Sequence, residues 1–172
     1  MRDFQRPGRS AVYATNGVCA TSHPLAAKVA LDVLQAGGNA ADAAIAGAVL
    51  LGICEPQMTG IGGDCFILMK PAGEDRVIGL NGSGCAPAAL SAAVLRAEGL
   101  TTMPIHGIAP VTLPGAMDAF CRLNADWGAL GLDRVLVGLH HAGLDRPWLG
   151  RLPVLCPAQL PNGHLRGQGW LE

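Results

Sequence analysis

The chain has 172 residues, 50% of them apolar and 15% charged, with a formal net charge of −1. That is long enough to bury a core, and charge this small and this evenly mixed excludes a nucleic-acid or anionic-membrane partner held by bulk electrostatics. The opening residues carry charge and proline where a secretory leader has an apolar run. The six cysteines, Cys19, Cys54, Cys65, Cys85, Cys121 and Cys156, form no C-x-x-C pair and have no histidine at metal-ligand spacing. They read as buried thiols of a cytoplasmic protein with no metal and no cofactor.

The first expected element is a short strand, "GVCAT", at 17–21. A helix follows, with Ser22 placed to cap it, Pro24 in its first turn, and Leu25, Val29 and Val33 four apart on one face. His23 reads as part of this helix start and not as a ligand. Gly37 and Gly38 stop the helix. Asn39 caps the next one, Asp42 stands in the capping-box position, and Ile45, Val49 and Ile53 form an apolar stripe on a body of Ala and Gly. So smooth a helix admits close neighbours on several sides, which places it between layers. It is too short, and carries an Asp, for a bilayer span of roughly 20 apolar residues.

"FILMK" and "RVIGLN", joined by "PAGED", predict a hairpin. Further helices are expected over about 88–98, closed by Gly99, and from near Pro114, where Asp118 and Asp126 read as surface positions. Beyond Leu136 the chain contains no Ile, Met, Phe, Tyr, Lys, Ser or Thr, and Pro147, Pro153, Pro157 and Pro161 break any helical period. Loop or disorder is expected over 137–172. His140 and His141 stand at its edge, and His106 sits in a loop without a second ligand in pattern.

Between helix and hairpin lies "EPQMTGIGGDCF". A phosphate cradle fails here, because a dinucleotide fingerprint from Gly60 needs a glycine at Cys65 and a P-loop needs a Lys before Ser or Thr. Gly60, Gly62 and Gly63 instead suggest positive φ and close approach of the backbone to a second layer or a ligand. In "NGSGCAP" a nucleophile elbow would need glycine at Asn81 and Cys85, so Ser83 has no motif-based claim to be a nucleophile. Cys65 reads as core, since a cysteine nucleophile needs a base beside it.

Taken in order, A-T-S-H-P-L-A, A-G-G-N-A-x-D-A-A-I-A, E-P-x-M-T-G-I-G-G, A-P-A and P-G-A resemble the opening of the gamma-glutamyltransferase large subunit, over about Gly17 to Leu136. The resemblance implies an α+β chain that is an incomplete N-terminal-nucleophile hydrolase αββα sandwich, with residues 1–136 family-like and 137–172 a non-family tail, possibly frameshifted. It implies transfer or hydrolysis of gamma-glutamyl groups from glutathione-like amides by a threonine freed at the start of a small subunit. Thr101 and Thr102 lie too early to be that residue, so the chain is expected to be inactive alone. A small subunit, from the same precursor or a separate chain, is the implied partner. The family's carboxylate-clamping Arg aligns with Ser83, with Gly84 at the following Glu, or in some relatives with Cys85. Asn81, Ser83, Gly84 and Cys85 are thus the implied substrate-binding positions, without the clamp. The alternatives are a non-catalytic module that pairs with a separate small subunit, and a small enzyme using Cys65 or Cys85.

Overall fold

The computed structural model describes residues 10–141 and 169–171, the backbone alone for 137–141 and 169–171. In chain order its elements are α1 (Pro24–Gln35), α2 (Ala40–Cys54), β1 (Cys65–Met69), β2 (Ile78–Gly82), α3 (Ala92–Ala97), α4 (Ala116–Trp127), α5 (Leu132–His141) and β3 (Gly169–Leu171). The class is α+β, as expected.

Helix α1 starts one residue later than the sequence suggests. His23 is its N-cap, and His23 Nδ1 accepts from the Leu25 N–H at 3.2 Å. The Ser22 hydroxyl donates instead to Glu55 Oε2 at 2.8 Å, joining the start of α1 to the end of α2. The buried stripe is Ala26, Val29, Ala30 and Val33, and Leu25 faces solvent. Small residues there let α2 lie close. Gly47 of α2 leaves room for a Cβ only 3.6 Å from the Ala26 carbonyl oxygen. Helix α2 packs against α1, α4 and α5, and Ile45, Ala46, Val49 and Leu50 are buried in the core they share, as a smooth interior helix should be.

The Asn39 and Asp42 capping box is present. Asp42 does more than cap, because its carboxylate is 0% exposed. Its Oδ2 accepts from the N–H groups of Asn39 at 3.0 Å, Ala129 at 2.9 Å and Leu130 at 3.2 Å, and its Oδ1 accepts from Asn124 Nδ2 at 3.0 Å. Asn39 Nδ2 donates to the Trp127 carbonyl at 2.6 Å. The start of α2 is thus fastened to the turn between α4 and α5. Gly128 makes the closeness possible, since a Cβ there would lie 2.8 Å from Asp42 Oδ1.

The hairpin is antiparallel, with Cys65 opposite Gly82 and Met69 opposite Ile78, and β3 pairs with the other side of β2. Ile78, Leu80 and Gly82 turn to the helices, where Gly82 leaves space for a Cβ only 2.5 Å from that of Ala119 on α4. On the far face Phe66 is 72% and Leu68 84% exposed.

Five expectations are corrected. Residues 17–21 form no strand, because none of the three strands of the described sheet runs beside them. The helix expected over 88–98 is confined to Ala92–Ala97, capped by Ser91, whose Oγ accepts from the Val94 N–H at 3.3 Å after a turn closed from the Leu90 N–H to the Pro87 carbonyl. Asp118 is 2% exposed and not a surface residue, whereas Asp126 is exposed. Cys121 takes part in a disulfide, and the free Cys19, Cys54, Cys65 and Cys85 are half-buried. Past Leu136, α5 continues to His141 and β3 forms where loop was expected, while 142–168 lie outside the described residues.

Replacing Asp42 by Ala strands several part-buried N–H donors, each costing up to about 1–3 kcal/mol. The urea midpoint of Asp42→Ala, followed by far-UV circular dichroism, should correspond to a loss of about 3 kcal/mol. A loss below about 1 kcal/mol would show that these bonds do not hold α2 to the turn.

Candidate functional site

Three segments far apart in sequence meet where the glycine loop enters β1. The loop turns through a bond from the Gly63 N–H to the Gly60 carbonyl at 3.2 Å. The Gly63 carbonyl then accepts from both the Gly115 N–H at 3.0 Å and the Ala116 N–H at 2.9 Å. These are first-turn donors of α4, whose N-cap Gly115 has no side chain to satisfy them. A loop carbonyl performs the capping that a Ser or Asp would otherwise provide. This is why α4 starts at Ala116 and not at Pro114.

The next residue, Asp64, is exposed, and its Oδ1 accepts from the Gly84 N–H at 2.8 Å and from Thr112 Oγ1 at 3.1 Å. The Cys85 carbonyl accepts from the Leu113 N–H at 2.9 Å. Gly84 is hemmed in between these two fastenings, so that a Cβ there would collide with the Leu113 carbonyl. Asn81 closes the near end of the segment with an Asx turn, its Oδ1 accepting from the Ser83 N–H at 3.0 Å. Asn81, Ser83, Gly84 and Cys85 are all half-buried, and the glycine loop is joined to them through Asp64.

The expected conformation of the glycines does not hold. None of Gly60, Gly62 and Gly63 has positive φ, and a Cβ at Gly60 or Gly62 would meet nothing within 4 Å. Close approach occurs on one side only, where Gly52 of α2 leaves space for a Cβ 3.2 Å from the Gly60 Cα. Both glycines otherwise face open space.

Cys65, one of the nucleophile candidates, is not activated. Burial pushes the Cys65 thiol up from 9.0 to about 11, away from the thiolate. The His23 ring nitrogen is occupied as a helix cap, and Thr112 donates its hydroxyl to Asp64. Among the described residues no group of three or more His, Cys, Asp or Glu is placed to hold a metal, and no helix is long and apolar enough to cross a membrane. Asp64 and Thr112 went unread in the sequence, because no periodicity links positions 64, 84 and 112. The one signal was an acidic residue directly after a glycine run.

Residues 26–138 match the family model described as Gamma-glutamyltranspeptidase. The chain is 34% identical over 126 residues to the glutathione hydrolase-like YwrD proenzyme of Bacillus subtilis (strain 168), covering 73% of this chain and 24% of that protein. Among solved structures, cephalosporin acylase from Bacillus halodurans is similar with a TM-score of 0.71 and 42% identity, covering 87% of this chain and 29% of the other. A gamma-glutamyltranspeptidase from Pseudomonas nitroreducens, complexed with L-DON, is similar with a TM-score of 0.65 and 27% identity, over 73% and 38% of the two chains. The chain therefore spans about a quarter of the length of the curated relative.

At pH 8 about a thousandth of the Cys65 thiol is ionised, so iodoacetamide should alkylate it about a hundredfold more slowly than an unperturbed thiol. Peptide mapping after timed alkylation measures this, and labelling of Cys65 as fast as in the urea-unfolded chain would restore it as a nucleophile candidate.

Proposed function

The chain belongs to the gamma-glutamyltranspeptidase family, and from that membership we propose that it supplies the helical layer, the glycine loop and the 81–85 segment of an enzyme that hydrolyses or transfers gamma-glutamyl amides of the glutathione type. The observation that carries this reading is that the glycine loop and the 81–85 segment both fall within the matched residues. Their fastening to each other supports it. In this reading a threonine hydroxyl, at the N-terminus of a small subunit outside these residues, attacks the amide carbonyl while its own α-amino group takes the proton. The amine leaves with that proton, and water or an acceptor amine then cleaves the acyl ester. The small subunit comes from the same precursor or from a separate chain, and its strands cover the apolar sheet face of Phe66 and Leu68, completing an αββα sandwich. That open face is also what favours the second reading, a non-catalytic module whose role is to bind such a chain.

The residues of this chain orient and do not react. The 81–85 segment offers backbone and small polar groups with no cation. A family-type Arg at position 83 or 85 would clamp the α-carboxylate of the glutamyl group through a charge-assisted pair worth about 1.5–3 kcal/mol. Without it, a glutamyl substrate binds about ten- to a hundredfold more weakly.

A chromogenic gamma-glutamyl anilide should give no release above buffer with the purified 172-residue chain, and turnover by that chain free of host enzyme would contradict the reading. Once the chain is assembled with a small subunit, Cys85→Arg should lower KM for the anilide about tenfold or more. An unchanged KM would remove the 81–85 segment from the carboxylate subsite.

A further inference from the structure

We infer that Asp64 is the positioning residue of the 83–85 segment, holding it in register with the glycine loop. The inference rests on the proposed function only in treating that segment as substrate-facing. A single oxygen, Asp64 Oδ1, takes donors from two segments, 20 and 48 residues along the chain. One donor is the backbone of Gly84 and the other the hydroxyl of Thr112, so the carboxylate spans the gap between the end of β2 and the approach to α4. Both bonds end on the same carboxylate oxygen and are charge-assisted.

Contacts on two sides hold the segment. On one side Gly84 lies against the Leu113 carbonyl with no room for a side chain, and the Leu113 N–H is bonded to the Cys85 carbonyl. On the other side the Asp64 side chain reaches from the glycine loop to the Gly84 N–H. The backbone of the loop is already fixed, through the Gly63 carbonyl, to the first turn of α4. Asp64 therefore converts the fixed position of α4 into a fixed position of Gly84. Its exposure means that water competes for both bonds, and the consequence of losing them is local opening of the segment and not collapse of the core. Asp64, moreover, is the one charged residue of the 60–64, 81–85 and 112–115 segments.

Cys85 adjoins Gly84 and reports the opening, while Cys54, at the end of α2, serves as an internal reference. In Asp64→Ala the alkylation rate of Cys85 relative to Cys54 should rise about fivefold, with the urea midpoint unchanged. Asp64→Asn keeps the Oδ1 acceptor and should restore the ratio to within about twofold of wild type. Thr112→Val removes one of the two donors and should raise the ratio by a smaller amount, giving a second variant should Asp64→Ala fold poorly. The proposal is overturned if neither Asp64→Ala nor Thr112→Val changes the ratio. It is equally overturned if the rates of both cysteines rise together as the midpoint falls, or if Asp64→Asn behaves as Asp64→Ala does. No substrate enters the measurement, so failure of the gamma-glutamyl reading leaves its outcome distinct.

Discussion

The structure depends on a carboxylate taken wholly out of water. Asp42 is 0% exposed, and backbone N–H groups from both ends of a long chain excursion, together with the Asn124 amide, converge on its two oxygens. A buried charge of this kind is tolerable only when every lone pair is matched, and the match here requires Gly128 to bring the turn within reach. A charge that can be satisfied in one arrangement alone is a specifier of that arrangement. Apolar contacts among Ile45, Val49, Phe120, Leu123 and Val135 supply the bulk driving force, but they would tolerate small slips that the Asp42 bonds do not.

From that anchor the constraint runs outward to the site. Fixing the end of α4 against the start of α2 fixes the axis of α4 and hence the place of Gly115 and Ala116, whose N–H groups seat on the Gly63 carbonyl. Gly82 against Ala119 presses β2 onto the same helix. The glycine loop is thus registered to α4 through the Gly63 carbonyl, and the start of the 81–85 segment through Gly82 against Ala119. In such an architecture the glycine loop and residues 83–85 carry no regular structure of their own and still hold a defined position.

Local signals were legible in the sequence and long-range ones were not. The Asn39 and Asp42 box, the Gly37 stop and the hairpin around "PAGED" each depend on neighbours within a few residues, and each is found where the sequence placed it. The family pattern was legible as well, since its motifs are contiguous. What escaped was set by tertiary contact. Ser22 was the better cap by residue type, yet Glu55, 33 residues on, draws its hydroxyl away. Asp118 looked like a solvent residue on an amphipathic helix until the hairpin and the core closed over α4. The glycine loop was read for its φ freedom, whereas its role in the fold lies in the Gly63 carbonyl and the Asp64 side chain.

Amide hydrogen exchange, resolved residue by residue on the native chain, tests the link between anchor and site most directly. If Asp42 and α4 transmit one constraint, the Gly115 and Ala116 amides open together with those of Ala129 and Leu130, with a common opening free energy and a common response to low urea. Rapid exchange at Gly115 and Ala116 while Ala129 and Leu130 stay protected would contradict the account, because the site would then be free of the anchor.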